Sequence, residues 1–180
     1  MPEYLTARVT RPEPTEYFEY YGKYISQVKA DEVRGALTAQ RDESAELLAR
    51  LTEAQGAHRY APGKWSVKEM LVHVADCERV FAYRALRFGR ADQTPLPAFD
   101  ENAWGPWAAA DARPLSAIVS ELAAVRAATI ALCDSFAPEA FARGGEASGR
   151  FITVRALFWI IAGHELHHRM VLRERYGIGQ

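Results

Sequence analysis

Four stretches of this 180-residue chain repeat apolar residues at the three-to-four-residue spacing of an α-helix, and no run alternates apolar with polar residues as a half-buried strand does. In the first, Val33, Leu37, Gln40, Ser44, Leu47 and Leu51 share a stripe that is apolar at both ends and polar in the middle. The second opens after the Pro62-Gly63 turn with Ser66 as N-cap and Glu69 three positions on, a capping box. It buries Met70, Val74, Cys77 and Phe81 and ends near Gly89. The third starts at Pro114 and turns Ile118, Leu122, Val125, Thr129, Leu132 and Phe136 inward. The fourth begins near Thr153, carries Leu157, Ile160, Ile161, Val171 and Leu172 inward, and stops at Gly177.

Four amphipathic helices of this length predict an all-α fold, a four-helix bundle. Residues 29–180 form the bundle domain, and residues 1–28 are an N-terminal extension packed on it. The Pro- and Trp-rich "RADQTPLPAFDENAWGPWAAADAR" and the Gly-rich "APEAFARGGEASGR" are longer than neighbouring antiparallel helices need, so they read as crossovers or lids. A chain of this size can bury a core without staples, so stability alone requires no metal.

The formal net charge of -1 gives no electrostatic basis for contact with nucleic acid. No leader-like apolar segment opens the chain, and no run approaches about 18 uninterrupted apolar residues, which predicts neither export nor a membrane span. Cys77 and Cys133 lie in apolar helical contexts without CxxC spacing, as reduced thiols of a cytoplasmic protein do.

Three of the five histidines, His164, His167 and His168, fall within "GHELHH" on the fourth helix. His164 follows Ile160 and Ile161 by one turn and His168 precedes Val171 and Leu172 by one turn, so both ride the buried stripe. His167 is rotated about 100 degrees from His168 and points to the margin. An i,i+4 imidazole pair can grip one ion, and His73, between Met70 and Cys77, supplies a third ligand from the second helix. The literal HExxH match carries little weight, because a helical bundle lacks the mixed fold of a zinc protease. A single inward histidine is usually a hydrogen-bonded core residue. Three facing one interior would each need a partner, which a metal provides. Cys77 reads as core packing, and His58 as surface. Asp76 and Glu78 read as solvated or paired with Arg79, and Gln40 and Ser44 as cavity-lining groups that contact substrate rather than the ion.

Around "YAPGKWSVKEMLVHVADCERVFAYRALRFGR", "VRAATIALCDSF" and "VRALFWIIAGHELHHRMVLRERYG" the chain resembles the DinB-like superfamily, which includes metal-dependent enzymes and members of unassigned activity. The resemblance covers roughly residues 25 to 177. It implies a four-helix bundle in which His73, His164 and His168 bind one divalent metal, with His164 and His168 as the ends of an HxxxH. It also implies kinship with thiol S-transferases that use bacillithiol, mycothiol or glutathione, and a homodimer. Zinc or nickel suits three imidazoles first, with iron or manganese also accommodated. The expected activity is a thiol S-transfer or hydrolysis on a small-molecule substrate, with a low-molecular-weight thiol as cosubstrate in the first case; a noncatalytic metal-binding stress-response module is the alternative. The aromatic surplus, including Trp104, Trp107 and the tyrosines of "EYFEYYGKY", suits a dimer interface.

Overall fold

The structure, a computed structural model, describes residues 8–179. The first seven residues of the expected extension and the final glutamine lie outside them. Four long helices dominate: α1 (Val33–Ala49), α2 (Val67–Gly89), α3 (Leu115–Asp134) and α4 (Val154–Tyr176). The start of α2 is as the sequence predicts, with Ser66 Oγ accepting from the Glu69 amide at 3.1 Å and the Glu69 carboxylate accepting from the Ser66 amide at 2.7 Å. α2 packs on both α3 and α4. The Tyr176 hydroxyl donates to the Trp65 carbonyl at 2.7 Å, so α4 ends where α2 begins and the two run antiparallel.

The expectation of no sheet is corrected at one place. Strands β1 (Gly144–Ala147) and β2 (Arg150–Thr153) form an antiparallel hairpin within the Gly-rich connection. Its two-residue turn places Ser148 at φ 54° and Gly149 at φ 73°, the left-handed pair that matches the twist of the flanking strands. Leu96, in the long α2–α3 connection, adds to this edge: its amide donates to Glu146 O at 2.9 Å and its carbonyl accepts from Ser148 N at 3.0 Å. The hairpin thereby pins the connection to the bundle.

By length and apolar content α3 could cross a membrane, although the uninterrupted runs in the sequence suggested no such segment. Its place accounts for the composition: Ile118, Leu122 and Val125 are buried in the bundle, and outward alanines supply much of the remaining apolarity. The first half of α4 is buried on every side, including Phe158 and Trp159 beyond the expected stripe, because a further layer covers it. That layer is the N-terminal stretch. Trp159 Nε1 donates to Val9 O at 3.1 Å, Arg11 stacks over the Trp159 ring, and Ile25 and Val28 join the core.

The core is two apolar clusters. One gathers Leu37, Cys77, Phe81, Ile130 and the Val154–Ala162 half of α4; the other gathers Leu48, Met70, Val74, Leu122, Val125 and Leu172. Between them each helix contributes buried polar residues: Gln40 and Ser44 from α1, Glu78 from α2, Arg126 and Thr129 from α3, and His164 and Glu165 from α4. The candidate site lies in this layer.

Candidate metal centre

α2 and α4 bring His73, His164 and His168 together. Ring centroids are 5.1 Å apart for His73 and His164, 4.8 Å for His73 and His168, and 4.5 Å for His164 and His168. His164 Nε2 and His168 Nε2 face each other at 3.1 Å. Two nitrogens bound about 2.0–2.1 Å from one zinc-sized ion, at ordinary coordination angles, stand roughly 2.9–3.4 Å apart, so this pair has the spacing of one edge of a coordination polyhedron. His168 Nδ1 is buried without a hydrogen-bond partner among the described residues. A cavity of about 20 Å³ bordered by Ser44, Glu165 and His168 has the size of one water. The donor set therefore fits a divalent ion.

Burial holds all three rings neutral at pH 7, the form that donates a lone pair. It lowers His73 to about 4 and, helped by the neighbouring His73, His167 and Lys23, lowers His164 to about 3. His168 is pushed well below its ordinary value by burial and then by the other histidines. His167 packs edge-on against Tyr24 with centroids 5.4 Å apart, at the margin of the cluster.

Cys77 lies closer to the cluster than core packing alone suggests. His73, Cys77 and His164 each place a potential ligand atom within 4.8 Å of the other two. Its Sγ is 3.6 Å from His73 Nδ1. Burial, then the charges of Glu101 and Asp76, push the thiol up to about 12, so it stays protonated and can donate to the imidazole.

Two openings adjoin the cluster. One, of about 150 Å³, is lined by Tyr20, Tyr21 and Tyr24 of the N-terminal stretch, by Phe81 of α2, and by His73 and His164. The other lies over His73 between Trp65 and Trp104, and Glu101 borders both. Part of the aromatic surplus is thus spent on cavity walls: Trp104 stacks on Phe99 at 5.0 Å and Tyr24 packs edge-on against His164 at 5.3 Å. Glu101 was not singled out by the sequence, because only the folded connection brings it to the histidines.

Behind the histidines lies an ion cluster that the sequence reading missed. Arg126 donates to both Glu78 oxygens at 2.8 Å and pairs with Glu165 at 2.6 Å. Glu78 is therefore neither solvated nor paired with Arg79, whose partners are Asp76 and Glu121. Burial opposes the arginine's charge, but Glu165 and Glu78 outweigh it and raise its pKa. Gln40 accepts from Arg126 at 3.2 Å and donates to Ala162 O at 3.3 Å, while Ser44 donates to Glu165. The polar break in the α1 stripe thus braces the residue beside His164. Arg126 stands one turn after Leu122 on the inward stripe of α3, the one local signal that could have flagged it.

Fold and site together describe a four-helix bundle, with α2 parallel to α3 and antiparallel to α4, whose polar middle layer gathers three neutral histidines at open cavities. The chain belongs to the DinB superfamily, whose family model matches residues 36–172. Among solved structures it is similar to YfiT from Bacillus subtilis, described as a probable metal-dependent hydrolase with an unusual four-helix bundle topology, at TM-score 0.66 and 22% identity over 93% of this chain and 94% of that one. It is also similar to the mycothiol-dependent maleylpyruvate isomerase, at TM-score 0.68 and 12% identity over 86% of this chain and 63% of that one. At these identities the likeness is one of fold. No curated protein matches the sequence.

Proposed function

We propose that this protein is a metal-dependent enzyme, a thiol S-transferase or a hydrolase, that acts on a small molecule at a single divalent ion held by His73, His164 and His168. The observation that carries the reading is the meeting of three neutral imidazoles, two of which, His73 and His164, line a cavity of about 150 Å³ that leaves room for a reactant beside the ligands. A noncatalytic site gains nothing from that space.

A zinc or nickel ion there supplies Lewis acidity, which makes a low-molecular-weight thiol or a water nucleophilic near neutral pH. The chain supplies the rest. Phe81, Phe99 and the three tyrosines exclude bulk solvent from the cavity and offer ring faces to an apolar reactant. Glu101 stands at the junction of the two openings, where a carboxylate can take the proton given up by the nucleophile. The Arg126 cluster fixes α4 through Glu165, next to His164. The setting is cytoplasmic, and the assembly a homodimer.

The test is elemental analysis of protein purified without a metal-affinity step, followed by assays of the loaded protein with bacillithiol, mycothiol and glutathione against electrophiles and with small esters and amides. One divalent ion per chain and turnover in either arm are expected. Bound ion without turnover in either arm would support the noncatalytic module, and absence of a bound ion would end the metal reading.

A further inference from the structure

Three cations are buried among the described residues: Lys68, Arg84 and Arg126. Lys68 pairs with Glu53 at 2.7 Å, and Arg126 pairs with two carboxylates. Arg84, 3% exposed, has no carboxylate partner among them. One nitrogen donates to Pro97 O and to Ser148 Oγ, each at 2.9 Å, and the guanidinium carbon lies 5.4 Å from the Phe99 ring centre. The Tyr21 phenol lies beside it. Burial pulls its pKa down, and no carboxylate among the described residues pairs with it. A buried charge normally persists where a counter-charge meets it.

The position of Arg84 suggests where that counter-charge comes from. His73, Cys77 and Arg84 follow one another by four and seven residues, which places them on one face of α2. The Cα rise from His73 to Arg84 is about 16 Å, and helical side chains lean toward the N-terminus, which shortens the span at their tips. Tyr21, Phe99 and Ser148, which surround Arg84, also line the cavity of about 150 Å³ that reaches His73 and His164. A cavity of that volume is large enough for a benzene ring. Arg84 does not itself line the cavity but stands directly behind this wall, so the cavity has one end backed by a buried cation, aromatic walls and a histidine end, with the one lining carboxylate, Glu101, shared with the opening over His73.

We propose that the substrate carries a carboxylate, and that the cavity wall of Ser148 and Tyr21, backed by the Arg84 guanidinium, holds it while the reacting part of the molecule lies at the histidines. This assignment rests on the metal-dependent reading for which end reacts, but the anion site itself does not require the ion.

Isothermal titration with benzoate and with its neutral isostere benzamide tests it, using protein as isolated, the same protein after chelation, and the variants Arg84→Gln and Ser148→Ala. Benzoate is expected to bind at least about 10-fold more tightly than benzamide, with and without the metal. Arg84→Gln should abolish that preference while benzamide affinity is kept, and Ser148→Ala should weaken it several-fold. Equal affinities in the wild type would overturn the proposal, as would a preference that vanishes on chelation, which would assign the carboxylate to the ion. A preference unchanged in folded Arg84→Gln would also overturn it. If Arg84→Gln fails to fold by circular dichroism, Ser148→Ala and the chelation arm decide, and no effect in Ser148→Ala then counts against the site. Metal content measured on the same samples reports separately on the metal-dependent reading.

Discussion

Gly163 meets Tyr24 backbone to backbone. A β-carbon on Gly163 would stand 2.2 Å from the Tyr24 carbonyl oxygen and 2.4 Å from its carbon, an approach that only glycine permits. The contact docks the N-terminal stretch immediately before His164, and Tyr24 then packs against both His164 and His167. Gly163→Ala should therefore displace this stretch, cost about 1–3 kcal/mol, and speed amide exchange around residues 22–28. Urea unfolding and hydrogen exchange measure both, and a variant with wild-type stability and protection would refute the tight docking.

His168→Ala should lose the bound ion while keeping the helical circular dichroism spectrum, because both apolar clusters are complete without it. His167→Ala and Cys77→Ala should keep the ion. Gln40→Ala and Ser44→Ala should also keep it and alter turnover, since they act on Glu165 and Arg126 rather than on the ligands. Metal content per chain, read on all five variants, separates the groups. Retention in His168→Ala, or loss in His167→Ala, would redraw the ligand set.

Arg126→Met should be among the most damaging single substitutions, at about 3–5 kcal/mol, because it strands Glu78 and Glu165 in the interior without a counter-charge. Glu165→Gln leaves one carboxylate facing one guanidinium and should cost less than half as much. Denaturant midpoints decide, and equal losses would mean that packing rather than charge balance governs this layer.

Metal-free protein should lose stability as the pH falls below about 6.5, the unfolded histidine value. His73 at about 4 and His164 at about 3 stay neutral in the folded state while the unfolded chain takes up protons. Their contribution is therefore intact above pH 6.5 and declines toward the folded values, by up to about 1.4 kcal/mol per pH unit for each ring. Bound metal should deepen that decline, because protons must displace it. Thermal melts across pH 4–8 check the slope, and a flat profile in the metal-free protein would contradict the buried neutral rings.

Trp107 is 88% exposed while its neighbour Trp104 is folded over the cavity. A homodimer that covers Trp107 should dissociate more readily in Trp107→Ser, with little change in unfolding of the monomer. Sedimentation equilibrium reads the shift. A wild type that stays monomeric at high concentration would exclude this interface.

The bundle was legible because its signals are local: Ser66 and Glu69 announce α2, and helical spacing alone places His73, His164 and His168 on inward faces. The hairpin was not, because "GGEASGR" offers no β-branched run, and its pairing depends on a turn with two positive φ angles and on Leu96, far away in sequence. The Arg126 cluster has a visible position but an invisible partner choice, since Glu78, Glu165 and Gln40 come from three other helices. Tyr24 and Glu101 reach the site only through connections whose paths no periodicity encodes.

The cavity has two kinds of wall. His73, Cys77, Phe81 and His164 stand on the long helices α2 and α4, whereas Tyr21, Phe99 and Ser148 come from the N-terminal stretch, the α2–α3 connection and the hairpin turn. Core packing holds the first set from within, whereas Tyr21 and Phe99 only border the core and Ser148 sits in a turn. Apart from Glu101, reactivity and selectivity are therefore encoded in separable parts of the gene, and a library confined to residues 20, 21, 97–99 and 148–150 can explore new substrates while the histidines keep their places.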